Sequence, residues 1–464
     1  MYTKVVLGGP GTGKTTRNLA ILREELENTP AEKIAYVSYT RQGTYQGVSL
    51  AKEQFDLSEE QCKYFRTLHS LCFRLTESSK EEMLDFKDMK YFSEHVGIEN
   101  VAEILKFEDM QRNNPHVAAM LYETLSLDPY AVQYVCKNYK SYKQYHKKKD
   151  FTDLLEQVLE SKMVLPIDVA IVDEAQDLTT LQWKVVRSLF RDVKRFYVAG
   201  DPNQSIYDWA GADYKYFMHM EADEVEVLDT TYRLPRKIWE LGRKVHAMID
   251  ESTPYPSKCK DEEGVLKQIA SLENLKIRAN ESYLFLARAN YSLSGVEEFL
   301  RMEGHLYIDT DGALSVSKKK LAFLRAFFMF MHKDRKSSVL TKFFTPAQLM
   351  EMRELKNYEE VFMTVIDWED KEYCFSIGAN KHYEDDPYKI RIASMHRVKG
   401  AEADNVYVLL DATKKTVMRF QDDPDAELRV LYVALTRAIH RLYIVSSSTK
   451  YSYPITEIGQ GVVE

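Results

Sequence analysis

The feature that most constrains the fold is a glycine-rich loop between an apolar strand and a helix near the start of the chain. Residues 8–15 read GGPGTGKT, a complete G-x-x-x-x-G-K-[ST] pattern, and an apolar strand at residues 34–39 completes a βαβ unit. Glycines let backbone N–H groups close around phosphates at a helix N-terminus, while the lysine reaches the β- and γ-phosphates and the threonine hydroxyl binds Mg²⁺. The pattern therefore predicts an α/β fold with a nucleoside triphosphate site, although a chance glycine-rich turn is the alternative. The residues predicted to hold the nucleotide in this segment are Gly8, Gly9, Pro10, Gly11, Thr12, Gly13, Lys14, Thr15 and Thr16.

A pair of carboxylates follows a third apolar strand, residues 169–172. Hydrolysis at a phosphate site needs an Asp for Mg²⁺ and a neighbouring carboxylate to orient and deprotonate water. Asp173 and Glu174 suit those roles. Acidic strand ends are common solvated features when they stand alone, but together with the glycine-rich loop they favour Mg²⁺ and ATP as cofactors. We predict Thr15 and Asp173 as the metal ligands.

At 464 residues the chain is too long for one hydrophobic core. Apolar residues make up 45% and charged residues 29%, which is typical of a globular protein. Strand and helix patterns predict two α/β cores, each interrupted by an insertion. The predicted ranges are 1–76 and 162–225 for the first core, 77–161 for a helical insertion in it, 226–311 and 389–464 for the second core, and 312–388 for a shorter insertion.

The net charge of -8 requires any nucleic acid to bind a local basic groove. Residues 136–149 are the main basic stretch, where Lys140, Lys143 and Lys147 would share a helix face, and a solvated face is the alternative reading. The five cysteines are scattered and predict neither a disulfide nor a zinc site. Without an apolar run of membrane-spanning length or a charged leader, we expect a cytoplasmic protein that does not contact a membrane.

Several further motifs carry a resemblance to a known family. Residues 173–177 read DEAQD and residues 200–212 read GDPNQSIYDWAGA, and both resemble motifs of superfamily 1 helicases. Other matches follow in the family's order: SYTR at 38–41, TLHS at 67–70, TYR at 231–233, SMHRVKGAE at 394–402 and YVALTRA at 432–438. The set looks like the UvrD/Rep branch. The resemblance implies an α/β fold of two RecA-like parallel-sheet motor domains, each with an inserted, mainly helical subdomain.

The resemblance also implies roles for the nucleotide-site residues. Lys14 and Glu174 would act on the phosphates and the attacking water, and Gln204 would sense the γ-phosphate. Tyr232 would stack on adenine and Glu402 would hold the ribose. Two further residues, Arg233 and Arg437, would reach the γ-phosphate from the second domain.

For DNA, the resemblance points to Tyr39, Thr67, His69, Tyr207, Trp209, Arg288, Asn290 and His396. Aromatic faces suit sequence-independent binding, since a stacked base contributes about 1 to 3 kcal/mol. Trp209 and Tyr39 are the preferred stacking platforms, with ordinary core packing as the alternative for both. His69 could equally be a structural histidine.

Together these features predict an ATP-dependent DNA helicase or translocase that moves 3′ to 5′ on single-stranded DNA. Its substrates would be single-stranded DNA and tailed duplexes, and a protein loading partner is possible. The competing hypothesis is a DNA-binding loader or remodelling factor that uses ATP as a switch and unwinds little.

Overall fold

The chain forms two compact units. The computed structural model describes residues 1–38, 49, 52–125, 127–272, 275–333, 339–355, 359, 362–363 and 368–453. The first unit comprises Met1–Arg233, His246–Lys260 and Leu428–Val430, and the second comprises Leu234–Val245, Asp261–Glu427 and Leu431–Glu464. Within the described ranges, no helix is both long and apolar enough to cross a membrane.

The first unit is built on a parallel sheet. Its described strands are β1 (Tyr2–Gly8), β2 (Ile34–Ser38), β3 (Phe65–Thr67), β4 (Val169–Asp173), β5 (Arg195–Gly200) and β6 (Glu224–Leu228). They lie in the order β3-β2-β4-β5-β1-β6, and every pairing is parallel. The strands β2 and β4 are buried along their whole length, which explains their continuous apolar sequence. The carboxyl ends of all these strands therefore meet at one edge.

Helices cover this sheet and form the insertion in its sequence. They are α1 (Lys14–Leu26), α2 (Leu68–Leu75), α3 (Phe86–Val96), α4 (Val101–Asn113), α5 (Pro115–Leu125), α6 (Pro129–His146), α7 (Phe151–Glu160), α8 (Thr180–Leu189) and α9 (Tyr214–Met218). The starts of α3 and α7 follow from the sequence, because Asp85 and Asp150 each form a capping box at the N-terminus.

The segment predicted as a helical insertion, 77–161, contains α3 to α7. Side chains of α3, α4 and α6 form a core of their own around Phe92, Ile104 and Val135. In contrast, α7 buries Leu154 and Val158 in the core of the first sheet. The last helix of the segment is thus part of the sheet's hydrophobic packing.

The structure removes one lysine from the basic face predicted on α6: Lys140 and Lys147 are exposed, but Lys143 is buried. Lys143 is only 7% exposed, and its Nζ lies 2.5 Å from Asp150 Oδ2 and 2.8 Å from Asp153 Oδ2. Arg112 of α4 joins the same carboxylates, with Nη1 2.9 Å from Asp150 Oδ2 and Nη2 2.7 Å from Glu156 Oε2. Burial next to acidic residues distant in sequence turns Lys143 inward, so it is not part of a basic DNA surface.

Replacing Arg112 with alanine should loosen the helical insertion. The change leaves Asp150 and its neighbours partly buried without their guanidinium partner, and breaking such a network costs about 3 kcal/mol or more. Amide hydrogen exchange in α4 and α6 should therefore accelerate. Arg191→Ala is the matched control, since Arg191 is exposed and lies 3.9 Å from Asp192 in a solvent-exposed ion pair. Equal protection in the two variants would contradict a stabilising role for this network.

The second unit contains a second parallel sheet. Its described strands are β7 (Val265–Ile269), β8 (Tyr283–Ala287), β9 (Ile390–Ser394), β10 (Ala403–Leu409) and β11 (Ala438–Val445), in the order β7-β11-β10-β8-β9. All pairings are again parallel. The remaining helices are α10 (Arg236–His246), α11 (Ser294–Met302), α12 (Lys318–Lys333), α13 (Pro346–Leu355), α14 (Lys371–Ala379), α15 (Lys414–Asp422) and α16 (Pro424–Leu435). The fold class is therefore α/β with two parallel sheets, as predicted.

The shorter insertion, 312–388, contains α12, α13 and α14. Phe323 and Phe327 of α12 are fully buried in the same cluster as Phe285 of β8 and Tyr407 of β10. These helices thus share one hydrophobic core with the second sheet.

The predicted boundary between the two cores, after residue 225, lies inside β6. This strand pairs with β1 from Lys4↔Glu224 to Gly8↔Leu228, and the chain stays with the first unit as far as Arg233. This edge strand has the sequence EVEVL, in which acidic and apolar residues alternate. That pattern predicts a strand less clearly than the continuous apolar sequences of the buried strands do. The correction moves Tyr232 and Arg233 into the first unit.

Candidate functional site

The glycine-rich loop leads directly from β1 into α1. Gly13 adopts a left-handed conformation, with φ of 82°, and forms the N-cap of α1. The Thr12 hydroxyl donates to the Gly9 carbonyl at 2.9 Å, and Lys14 Nζ donates to the Gly8 carbonyl at 2.7 Å. Because glycine has no side chain to cap the helix, the first-turn N–H groups remain available for an anion. The loop is therefore shaped to hold phosphate.

The loop is also held by the segment that follows β6. The Thr231 hydroxyl donates to the Pro10 carbonyl at 2.6 Å, and the Tyr232 N–H donates to the Gly11 carbonyl at 2.9 Å. Gly11 has a φ of +68°, and a Cβ there would lie 2.3 Å from Arg233 Cβ. Tyr232 is 72% exposed beside this contact. The structure thus places Arg233 next to the loop within the first unit, and the prediction that it arrives from the second domain is corrected.

Asp173 ends β4 as a buried carboxylate. It is 1% exposed, its Oδ2 accepts from the Tyr36 hydroxyl at 3.0 Å, and its Oδ1 accepts from the Glu174 N–H at 2.9 Å. Burial, and then the charge of Glu174, raises the pKa of Asp173 to about 6. A cation would offset that desolvation, and carboxylate and hydroxyl oxygens are ligands that Mg²⁺ prefers. The buried Asp173 carboxylate therefore has the chemistry of a Mg²⁺ ligand.

Glu174 adopts a strained backbone conformation. Its φ is +54°, a region that residues with a side chain seldom occupy. Its carboxylate Oε2 accepts from Gln176 Nε2 at 2.6 Å. Such strain persists only where the surroundings impose it, and it is concentrated at functional sites.

Gln176 connects Glu174 to the loop after β5. Its Oε1 accepts from the Asp201 N–H at 2.9 Å, and Gln204 Nε2 donates to Asp201 Oδ2 at 2.6 Å. Gln204 is 6% exposed. This chain of hydrogen bonds fixes the position of Gln204, the predicted sensor of the γ-phosphate, relative to Glu174, the predicted general base.

Two predicted DNA residues, Thr67 and His69, line a cavity of about 1770 Å³ in the first unit. The Thr67 hydroxyl caps α2 by accepting from the Ser70 N–H at 3.2 Å. Burial lowers the pKa of His69, whose ring meets the edge of Phe151 at a centroid distance of 5.7 Å. Cationic side chains also line the cavity: Lys52, Arg66, Arg74, Lys80, Lys90 and Lys106. Acidic side chains line it as well: Glu59, Glu108, Asp109 and Asp150.

Trp209 lies in a short 3-10 turn, Asp208–Ala210, after the Gln204 loop. Trp209 is 46% exposed, which does not agree with the alternative of core packing. The ring of Tyr207 lies 6.4 Å from it at 65°. Tyr39, the other predicted stacking platform, is outside the described residues.

In the second unit, two predicted nucleotide residues differ in exposure. Arg437 follows α16, is 2% exposed, and donates from Nε to the Val433 carbonyl at 2.9 Å. Glu402 is exposed just before β10.

The three predicted DNA residues of the second unit lie near the ends of β8 and β9. Arg288 follows β8 and binds the buried Glu427 through Nε and Nη2 at 2.9 and 2.8 Å. Asn290 is exposed at the start of a 3-10 turn. Burial lowers the pKa of His396, which follows β9, to about 4. Of these three, Asn290 is the most accessible.

Two family models match this chain. The UvrD/REP helicase N-terminal domain matches residues 2–224, and the UvrD-like helicase C-terminal domain matches residues 138–449. The chain belongs to the UvrD/Rep-like family of superfamily 1 helicases. This membership agrees with the two parallel sheets and with the glycine-rich loop at the end of β1.

Individual members of the UvrD/Rep-like family are similar over parts of the chain. The ATP-dependent DNA helicase PcrA of Staphylococcus epidermidis is 24% identical over 283 residues, covering 54% of this chain and 38% of the relative. The RecBCD enzyme subunit RecB of Buchnera aphidicola is 27% identical over 189 residues, covering 36% and 15%. The chain thus spans well under half the length of these relatives. The solved structure of PRRSV helicase aligns with 96% of this chain and 52% of that chain, at 9% identity and a TM-score of 0.38, a level that does not bear on the fold.

The helicase motifs contain residues whose contacts the sequence did not reveal. Gln176, Asp201 and Thr231 all lie inside matched motifs, yet their hydrogen bonds join segments far apart in sequence. Tyr36 was missed as a partner of Asp173. The sequence gives one indication of this role: Tyr36 places a hydroxyl group within the apolar run IAYVS, where a buried hydroxyl needs a hydrogen-bond partner.

Gly11→Ala should destabilise the nucleotide-free protein more than Gly13→Ala does. Both positions have positive φ, but a Cβ at Gly13 would lie 3.8 Å from Thr16 Cβ, an ordinary contact, whereas one at Gly11 would overlap Arg233 Cβ. The overlap should add about 1 to 3 kcal/mol to the shared backbone strain. Denaturant unfolding of both variants measures the difference. Equal decreases in the free energy of unfolding would show that close packing of Gly11 against Arg233 does not stabilise the loop.

Proposed function

We propose that this protein is an ATP-dependent DNA helicase or translocase that moves 3′ to 5′ along single-stranded DNA. The observation that carries the proposal is the joint placement of two parts of one site. The phosphate loop follows β1, and the Asp173–Glu174 pair lies at the carboxyl end of β4; these parallel strands flank β5 in the same sheet. Their carboxyl ends share an edge, as a phosphate site and its hydrolytic carboxylates require.

Within the nucleotide site, Lys14 and the loop amides would bind the phosphates. Thr15 and Asp173 would hold Mg²⁺, which neutralises charge on the phosphates. Glu174 would orient and deprotonate the attacking water, and the Gln176–Asp201–Gln204 chain supports this because it already holds Glu174 and Gln204 in one network. The exposed ring of Tyr232 beside Gly11 would stack on the base.

Residues of both units would complete the reaction. Arg233, from the first unit, would contact the γ-phosphate. The second unit would supply Arg437 to the same phosphate and Glu402 to the ribose. Guanidinium groups suit this role, because charge accumulates on the transferring phosphoryl group.

The single-stranded DNA would bind along a set of residues that we call the DNA track. It would begin at the exposed Trp209, with Tyr207 beside it. Thr67 and His69 would contribute from the cavity in the first unit, which contains several cationic side chains. From the second unit Asn290 is exposed, whereas Arg288 and His396 would have to act from more buried positions. Stacking and backbone contacts of this kind do not depend on base sequence.

The central experiment measures Mg²⁺-dependent ATP hydrolysis with and without single-stranded DNA. DNA should stimulate ATP turnover, because a ligand that binds the catalytically competent conformation more tightly shifts the population toward that conformation. Lys14→Ala is the control that removes phosphate binding. Equal rates with and without DNA would contradict a motor function.

Duplexes with a 3′ or a 5′ tail then distinguish direction and mechanism. Unwinding of the 3′-tailed duplex is expected. Unwinding of only the 5′-tailed duplex would overturn the direction. DNA-stimulated hydrolysis without unwinding of either substrate would favour an ATP-switched loader or remodelling factor.

Trp209→Ala should weaken single-stranded DNA binding by about 1 to 3 kcal/mol, because it removes a stacking surface. The fold should survive, since Trp209 is 46% exposed. Tyr130→Ala is a matched control, because Tyr130 is an 82% exposed aromatic residue on α6. Fluorescence anisotropy with a labelled oligonucleotide measures both affinities. An unchanged affinity for the Trp209 variant would remove it from the DNA track.

A further inference from the structure

We propose that His305, His382 and Asp385 form a binding site for one divalent transition-metal ion, with Zn²⁺ as the best match. His305 lies in the turn after α11, and the other two residues lie in and just after the 3-10 turn, His382–Glu384, that follows α14. All three belong to the second unit and are separate from the nucleotide site residues of the first unit. The proposal is independent of the helicase activity.

The three residues already converge. One ligand atom from each lies within 4.8 Å of the others. The imidazole centroids of His305 and His382 are 4.1 Å apart, and His382 Nδ1 lies 2.9 Å from Asp385 Oδ2. Ligands of a tetrahedral Zn²⁺ ion with bonds of about 2.0 Å lie about 3.3 Å from one another. Small side-chain rotations would therefore bring the group into coordination geometry.

His305 carries a buried ring nitrogen that has no hydrogen-bond partner among the described residues. The residue is 6% exposed, and the nitrogen is Nδ1. A buried nitrogen without a partner is destabilising, so native structures seldom contain one without a reason.

Backbone contacts hold the two turns together. Gly304 packs so closely on α14 that a Cβ would lie 2.4 Å from the Ser376 carbonyl carbon. The Tyr373 hydroxyl donates to the His305 carbonyl at 2.7 Å, and Asn380 Nδ2 donates to the Glu303 carbonyl at 2.9 Å. The ligand-bearing segments are thus fixed before any ion binds, as a metal site requires.

The composition of the cluster selects the class of ion. Two imidazoles and one carboxylate suit Zn²⁺ and its first-row neighbours, whereas Mg²⁺ and Ca²⁺ prefer oxygen ligands alone. Three protein ligands leave a fourth position for water. A bound ion would tie the turn after α11 to the segment that leads into β9.

Lys389 is the competing cation. Its Nζ lies 2.9 Å from Asp385 Oδ2, and its side chain is 9% exposed. The ammonium group neutralises the carboxylate and would have to give way to an ion on that oxygen. Removing it should therefore strengthen metal binding.

The test uses the tag-free full chain, treated with a chelator and kept free of nucleotide. Zn²⁺ is titrated against a chromogenic chelator, and Co²⁺ serves as a spectroscopic probe of tetrahedral coordination. Wild type should bind a single zinc ion at this site. His382→Ala, Asp385→Asn and His305→Gln should each weaken the affinity by at least about 10- to 100-fold. Lys389→Met should raise it.

Two control variants separate this site from others. His440→Ala removes a histidine that pairs with Glu262 at 2.7 Å, and Asp173→Asn alters the predicted Mg²⁺ site. Both should keep wild-type zinc affinity. His382 is half-buried, so its variant should fold even if a change at His305 does not.

Three results would overturn the proposal. The first is a wild-type affinity no higher than that of His382→Ala. The second is a Co²⁺ spectrum that is unchanged by Asp385→Asn. The third is weaker zinc binding in Lys389→Met than in wild type, which would show that no ion binds at Asp385.

Discussion

The hydrogen-bonded burial of Asp173 is the interaction on which the first unit's site depends. A carboxylate at 1% exposure needs partners, and Tyr36 from the neighbouring strand and the Glu174 N–H supply them. The residue that supplies this N–H, Glu174, has a left-handed backbone. Its carboxylate accepts a hydrogen bond from Gln176, which is linked in turn to Asp201 and Gln204. Parallel strand order then brings this network to the edge of the sheet that also carries the phosphate loop.

Much of this arrangement could be predicted from sequence, because its signals are local. The loop pattern, the apolar strands and the acidic strand end each occupy a few consecutive residues, and they predict the α/β class and the place of the phosphate site. The described parts of the predicted insertions are indeed largely helical. Trp209 could be proposed for stacking from its motif, but its exposure could be known only from the structure.

What could not be predicted depends on contacts between distant residues. Lys143 resembles a surface cation in sequence, yet it is buried because Asp150 and Asp153 fold against it. Arg288 meets Glu427 from 139 positions away, and β6 joins the sheet through a pairing with β1 that alternation alone does not specify. His305 and Asp385 are far apart in sequence, so no local spacing could indicate that they converge in the folded second unit.

The left-handed backbone of Glu174 has an evolutionary consequence. Side chains in that conformation cost roughly 1 to 2 kcal/mol, and glycine would remove the cost. Selection for a larger free energy of unfolding alone would therefore favour glycine at this position. The same substitution would remove the carboxylate. Selection for a stable fold and selection for chemistry oppose each other here, so persistence of an acidic residue at this φ in related sequences would itself be a sign of retained activity.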